Sequence, residues 1–287
     1  MSNVLLPANF HELWNIFNTS PEALVYGGGT DLLVKLASSR TPRQRPDVLI
    51  CLENIEELRE IRETDGRVRI GACVTHSRLL SHPLICGKFP LLPKALRLLG
   101  SPPVRNMGTL GGNICTASPA GDALPALYLY DAEMEIVSED GSRFVPIGKF
   151  IKGPGKTGLQ SGEILSAIWL NKSNGYTIHH FEKVGQRNAL AISIASMAAL
   201  IKLSSEGIVE KIHLAWGSVA PTIALSSEIE TALIGKSLSQ TVLSETRPFL
   251  DRTISPIDDI RATAQYRRTI AANLLMRLSC YNGHGTA

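Results

Sequence analysis

The sequence predicts an α+β fold, and three observations lead there. Apolar residues recur at helical spacing in some segments (Phe10, Leu13, Trp14, Phe17), and in others they alternate (Val68, Ile70, Ala72, Val74) or run on continuously (Ala189–Leu203). The two patterns mix without the strict strand–helix–strand beat of a parallel α/β sheet. The chain has 287 residues, 44% hydrophobic and 19% charged, enough apolar surface for one large domain or two ordinary ones and too much for global disorder.

Taken in order, Phe10, Leu13, Trp14 and Phe17 make one face of a helix that Pro21 ends. Ala23–Tyr26 is a short strand that stops at Gly27-Gly28-Gly29, and after Thr30-Asp31 a second helix carries Leu32, Leu33 and Leu36. Arg40–Pro46 is polar and proline-containing, so it reads as a loop, and Asp47–Leu52 as a buried strand. Val68 to Val74 is a half-buried strand, after which Thr75 caps a short helix through His82. Leu91–Leu99 is helical, and Gly100–Gly121, rich in Gly, Pro, Ser, Thr and Asn, is a long ordered loop or loop–helix array. Met134 and Ile136 alternate with Glu133 and Glu135 ahead of a hairpin turn at Asp140-Gly141. Ile164–Leu170 and Thr177–Lys183 are strands flanking a turn at Asn171–Gly175, with a soft domain boundary near Ser173. Two long strand-like runs, Ala189–Leu203 and Ile208–Val219, are joined by Ser204–Gly207. Pro256–Ser279, with Ile260, Ala264, Ile270, Leu274 and Leu278, reads as a helix whose Asp258-Asp259 start suits the macrodipole. No internal repeat is visible.

Composition removes several functions. The net charge is +3 with no long basic run, which argues against nucleic-acid binding. The start, MSNVLLPANFHELW, lacks the basic and apolar regions of a signal peptide. The most apolar stretch, Asn188–Ile201, falls short of the ~20 residues a membrane span needs. Five scattered cysteines form no CxxC, so neither a zinc nor an iron–sulfur site is expected, and the chain reads as cytoplasmic. There is no GxSxG and no HExxH to anchor a hydrolase. Gly155-Lys156-Thr157 imitates a phosphate loop, but Phe150 stands where that loop needs glycine. His179 and His180 point to opposite faces of a strand, His76 belongs to a helix entry, and Trp14, Trp169 and Trp216 read as core.

Two glycine loops carry the chemistry. In Val25-Tyr26-Gly27-Gly28-Gly29-Thr30-Asp31-Leu32 three glycines leave backbone N–H groups unshielded between a strand and a helix, a natural seat for a pyrophosphate. Thr109-Leu110-Gly111-Gly112-Asn113, continuing to Ser118, Pro119 and Asp122, adds adjacent glycines whose bare main-chain amides are expected to converge on the same diphosphate, with neutral hydrogen-bonding groups on Thr109, Asn113, Thr116 and Ser118 and one acid, a set suited to sugar hydroxyls and phosphate. Each loop also has a plain reading as a tight structural turn. Glu53, after the next strand, offers a Rossmann version of the first loop, without the following βαβ beat.

The order of motifs resembles the flavin-binding (medium) subunits of molybdenum hydroxylases, the family of bacterial xanthine dehydrogenase, carbon monoxide dehydrogenase and nicotinate or quinoline hydroxylases. The resemblance runs from Gly27–Leu32 through Gly71-Ala72, Thr75-His76, Arg105–Asn113, Ala117-Ser118-Pro119, Asp122, Leu124–Leu127, Asp131-Ala132 and Glu163–Leu165. It continues with Phe181-Glu182-Lys183, Arg187, Asp259-Ile260-Arg261 and Tyr266-Arg267-Arg268. It implies a two-part FAD-binding fold of the PCMH type over residues 1–173 (subdomains of about 1–55 and 56–173), then a CO-dehydrogenase-flavoprotein-like α+β domain over 174–287. It implies that Val25, Tyr26, Gly27, Gly28, Gly29, Thr30, Asp31 and Leu32, with Thr109, Leu110, Gly111, Gly112 and Asn113, hold FAD, and that Asp122, Leu165 and Lys183 contact it.

The resemblance further implies partners: a small subunit with iron–sulfur clusters and a large subunit with the molybdenum cofactor, in a heterotrimer. Electrons arriving from the clusters would leave the flavin for NAD or another acceptor, with a purine or related N-heterocycle as the complex's substrate. The cofactor supplies the redox chemistry, so no catalytic residue and no metal ligand is expected here. Without His or Cys in the first loop, the flavin is expected to be noncovalent. The rivals are a self-sufficient FAD-dependent oxidase of a small substrate, a Rossmann dehydrogenase using Glu53, and a scaffold that only stabilises its partners.

Overall fold

A computed structural model describes residues 2–38, 46–172, 175–187 and 190–282. In chain order, β1 (Asn3–Leu5), α1 (Phe10–Thr19), β2 (Leu24–Tyr26), α2 (Leu32–Ser38), β3 (Val48–Cys51), β4 (Ile61–Thr64), β5 (Arg67–Gly71) and α3 (His76–Ser81) come first. Five helices follow: α4 (Pro83–Lys88), α5 (Leu91–Arg97), α6 (Pro102–Met107), α7 (Leu110–Thr116) and α8 (Leu124–Leu129). Next are β6 (Glu133–Ser138), β7 (Gly141–Pro146), α9 (Ile147–Phe150), β8 (Ile151–Gly153), β9 (Lys156–Thr157) and β10 (Ile164–Asn171). The last stretch holds β11 (Ile178–Val184), β12 (Ala195–Leu203), β13 (Val209–Gly217), β14 (Ala224–Leu225), α10 (Ser227–Leu233), α11 (Gln240–Glu245), α12 (Arg247–Thr253) and α13 (Ala264–Met276). The mixture of helices with largely antiparallel sheets is α+β. Two compact units divide the chain: one of residues 1–84, 101–117 and 131–172, the other of 85–100, 118–130 and 173–287.

The first unit contains two main sheets. In the smaller, β3 lies between β1 and β2 with all strands parallel. Helix α1 closes it because the i, i+3, i+4, i+7 face points inward: Leu13 is fully buried with Ile50, Ile55 and Leu58, and Phe10, Trp14 and Phe17 pack at the rim. Asn9 caps this helix by accepting the Glu12 N–H at 2.9 Å, and Glu12 accepts the Ala8 N–H in return, a reciprocal pair that fixes the entry. The larger sheet runs β4-β5-β10-β6-β7, antiparallel throughout. The expected hairpin at Asp140-Gly141 joins β6 to β7. A second hairpin, β4–β5, turns on Asp65 and Gly66 (φ 51° and 76°), the conformation that an Asp-Gly pair favours. Across this sheet Arg69 grips Glu135 with two bonds of 3.1 Å, and Ser166 and the Trp169 indole donate to the same carboxylate.

The second unit is built on the antiparallel sheet β11-β12-β13-β14. β12 and β13 fall within the two long apolar runs, but β12 begins only at Ala195, so residues 190–194 of the first run are not strand. Trp216, Met197, Leu214 and Ile201 share a core with Leu274, Leu275 and Leu278 of the last helical segments. α5 packs on β11, and α8 on β12 and β13.

Several expectations need correction. β5 ends at Gly71, so Ala72 and Val74 continue no sheet ladder; their carbonyls instead accept the N–H groups of Gly111 and Leu110. β10 and β11 belong to different sheets and do not pair. The final helix starts at Ala264, capped by Thr263, not near Asp258. Asp259 folds back to accept the N–H groups of Arg261 and Ala262, which makes a tight turn and leaves Ile260 98% exposed, while Asp258 accepts the Ala264 N–H at 2.6 Å. Trp216 is core, but Trp14 and Trp169 are only half-buried, Trp169 because its N–H serves Glu135. Residues 40–45 of the expected loop, 173–174 of the turn at Asn171–Gly175, the boundary at Ser173, and the start of the run at Ala189 lie outside the described residues.

Candidate functional site

The first glycine loop leaves the end of β2 and enters α2. Gly29 adopts φ 67°, and its carbonyl accepts the Leu33 N–H at 3.0 Å. Among the described residues, the N–H groups of Gly27, Gly28, Gly29 and Thr30 donate to no protein acceptor. The loop is therefore a short row of open donors, the feature expected of it. Behind it, Cys51 of β3 approaches the Gly27 carbonyl, and Tyr26 accepts the Leu52 N–H through its own carbonyl. Burial, with Cys51 and Glu53 nearby, pushes the Tyr26 hydroxyl up to about 12, so it stays a neutral donor.

The second loop behaves differently. The N–H of Leu110 donates to Val74, that of Gly111 to Ala72, that of Gly112 to the Thr109 hydroxyl at 3.0 Å, and that of Asn113 to the Thr109 carbonyl. Four amides expected to be open are thus spent inside the protein. They are spent because Thr109 caps α7 and because 72–74 needs partners beyond the end of β5. Its glycines serve packing: a Cβ on Gly111 would stand 2.6 Å from the Ala72 Cβ and 2.7 Å from its carbonyl oxygen. What the loop leaves over is side-chain chemistry, above all the Asn113 Oδ1, which is buried without a hydrogen-bond partner.

The two loops interlock. A Cβ on Gly28 would fall 1.6 Å from the Met107 carbonyl oxygen, and one on Gly27 would meet the Thr109 hydroxyl at 2.9 Å. One on Gly108 would meet the Thr30 hydroxyl at 3.3 Å and the His76 ring at 3.2 Å. Thr116 of α7 donates to Asp31 at 3.2 Å, and Lys35 pairs with the same carboxylate at 2.5 Å. His76 seats the assembly from below: its N–H donates to the Gly108 carbonyl, and burial beside Arg105 pulls its ring down to about 4, so it is neutral. Gly108 and Thr116 complete the contact; both stand within the motif that carries the family resemblance or next to it, and only the fold shows that they face the first loop.

Of the remaining residues, Leu165 is buried in β10 at a register shift; its neighbour Ser166 accepts the Ala72 N–H, which ties it to the strand segment under Gly111. Asp122 and Lys183 meet in the second unit. Their Oδ2 and Nζ lie 2.5 Å apart, each side chain is 7% exposed, and Lys183 also donates to the Leu98 carbonyl at 3.0 Å. Burial pushes the Asp122 carboxyl up to about 6, and Lys183 pulls against it; Oδ1 has no partner. Lys183 borders a cleft of about 350 Å³ lined by Leu98, Val184, Gly185, Arg187, Leu190 and Ala191.

The donor set suits a dinucleotide. Open glycine amides match phosphate oxygens, an orphaned amide oxygen matches a ribose hydroxyl or an exocyclic amine, and a cradle that a single Cβ would fill excludes bulkier loop residues. Among the described residues no group of His, Cys, Asp and Glu is arranged to hold a metal, and no helix is long and apolar enough to cross a membrane.

Comparison with known proteins agrees with this chemistry. Residues 1–171 match the family model described as the FAD binding domain in molybdopterin dehydrogenase, and residues 180–279 match the CO dehydrogenase flavoprotein C-terminal domain. The chain belongs to this flavoprotein family and is an FAD-binding medium subunit of the molybdenum hydroxylase type, an oxidoreductase subunit. It is 32% identical over 256 residues to a xanthine dehydrogenase FAD-binding subunit of Escherichia coli O157:H7, covering 88% of this chain and 86% of that one. It is 28% identical over 261 residues to a nicotinate dehydrogenase FAD-subunit of Eubacterium barkeri, covering 90% and 87%. The solved quinoline 2-oxidoreductase of Pseudomonas putida 86 superposes with a TM-score of 0.91 at 26% identity, over 98% of this chain and 96% of that chain.

Proposed function

We propose that this chain holds one FAD noncovalently and relays electrons through it, from iron–sulfur clusters on a small partner subunit to NAD or another acceptor. In this reading a large partner carries the molybdenum cofactor and oxidises a purine or a related N-heterocycle, the three chains form a cytoplasmic heterotrimer, and the family domains divide near residue 173. The open amides of Gly27–Gly29 take the pyrophosphate, with Val25, Tyr26, Thr30, Asp31 and Leu32 around them. Thr109 to Asn113 supply the opposing wall, with Asn113 as its polar contact, and Asp122, Leu165 and Lys183 are further flavin contacts. The observation that carries the reading is the backbone-to-backbone interlock of the two glycine loops, which only glycine permits at Gly28. The xanthine and nicotinate names of the relatives favour an N-heterocyclic substrate. The test is anaerobic reduction of the co-purified complex by xanthine and by nicotinate. Flavin bleaching that requires the molybdenum and iron subunits, and that NAD⁺ reverses, is the expected result. Bleaching by either compound in the isolated chain would instead establish a self-sufficient oxidase.

A further inference from the structure

The second unit contains a buried cation that the flavin reading does not use. Arg267, on α13, is 2% exposed. Its guanidinium donates to the Ile194 carbonyl at 2.6 Å, to the Ser218 carbonyl at 3.1 Å and to Asp259 Oδ1 at 2.8 Å. A buried guanidinium needs acceptors to offset its desolvation; here both terminal nitrogens have them, while Nε is buried without a partner. A stabilising anchor alone could take acceptors anywhere on the sheet. Here one of them, Ile194, is the residue at which the segment carrying Leu190 and Ala191, both lining the Lys183 cleft, rejoins the sheet: the Ile194 N–H donates to Val184 at 2.8 Å, next to Lys183.

Among the described residues, three further ties hold the cleft wall. Gly185 packs so closely on Ala191 that a Cβ there would stand 2.7 Å from the Ala191 Cβ, Arg187 donates to the Leu190 carbonyl at 2.8 Å, and Gln186 donates to the Arg261 carbonyl at 3.4 Å. The last of these ends on the Asp259 turn, the same turn that supplies Arg267 with its counter-ion. Two of the ties thus converge on one latch.

We propose that Arg267, held by Asp259, is a positioning residue for this cleft: by gripping the Ile194 carbonyl it fixes where Leu190 and Ala191 line the cleft that Lys183 borders. The functional consequence rests on the flavin reading above; the structural one does not.

Two variants test it, Arg267→Lys, which keeps the charge but loses the three-way fork, and Asp259→Asn, which keeps the turn's acceptor but loses the counter-ion. The first readout uses the flavin-free full chain and limited trypsin digestion, comparing cleavage after Arg187 with cleavage after Arg252, an exposed control on α12. Cleavage after Arg187 is expected to quicken at least fivefold in both variants, with cleavage after Arg252 unchanged. The second uses the FAD-loaded chain, reduced with dithionite and reoxidised by dichlorophenolindophenol, an anionic dye that takes two electrons and two protons from reduced flavin. The dye concentration for half-maximal rate is expected to rise at least threefold while the limiting rate stays within twofold of wild type. Unchanged cleavage after Arg187, or cleavage that rises only in step with Arg252, overturns the positioning role. A wild-type chain that takes up no FAD overturns the function proposed above and leaves the digestion result to decide the role of Arg267.

Discussion

At the scale of single residues, glycine and one carboxylate carry the account. Gly28 is required for its missing side chain rather than for its dihedrals, since its Cβ would overlap a backbone oxygen that has nowhere to go. Asp122 shows the opposite economy, a charge kept at a cost. Burial lifts its carboxyl to about 6, above the usual carboxylate range. The folded state therefore binds its proton more tightly than the unfolded chain does. The stability this group contributes is present at low pH and is lost as pH rises through about 6. Wild type should gain on Asp122→Asn as pH is lowered from 7 to 5, contrary to the usual behaviour of an ion-paired acid. Urea unfolding of both proteins at the two pH values measures it, and a difference that moves the other way would mean that Lys183 dominates the site.

At the scale of elements, the ladder between α7 and residues 72–74 holds the second loop. Gly111→Ala sets two effects against each other. Alanine gains up to about 1 kcal/mol of helix propensity, whereas a Cβ within 2.6–2.7 Å of Ala72 forces the helix off its seat, an overpacking cost of about 1–3 kcal/mol. The overlap is with backbone as well as side chain, so the cost wins: the variant should unfold at lower urea, by about 1–2 kcal/mol, and bind FAD more weakly. The same elements show what was legible in the sequence. Helix α1, the cap at Thr75 and the Asp140-Gly141 hairpin follow from local patterns, and the structure has them. The Asp65-Gly66 hairpin carries the same local signal, whereas α10 to α12 are short and weakly periodic. The acids at 258–259 resemble a helix start ahead of the true one: Asp259 is used in the turn that holds Arg267, and Asp258 reaches across that turn to accept the Ala264 N–H. Alternation persists in Ala72 and Val74 past the end of the strand at Gly71, although their carbonyls pair with a helix entry instead of a strand.

At the scale of the whole molecule, the family and its cofactor were legible because motif order survives where contacts cannot be inferred. What the sequence hid was the division of labour between the loops. Both looked like open amide cradles, yet one is open and the other is closed on itself, and the difference lies in Val74 and Ala72, far from either glycine motif. The pairing of Asp122 with Lys183 is likewise invisible in the sequence: each matches a flavin contact on its own, and 61 positions separate them.

The central claim is that interlocked glycine loops hold the flavin through contacts that only a bare backbone at Gly28 allows. The most direct measurement is fluorescence-monitored FAD titration of the flavin-free full chain and of Gly28→Val, with folding checked by circular dichroism. The account predicts one FAD per wild-type chain, released intact by denaturation, and at least a hundredfold weaker binding by a folded Gly28→Val. A folded variant that binds FAD as tightly as wild type, or a wild-type flavin that denaturation fails to release, would contradict it.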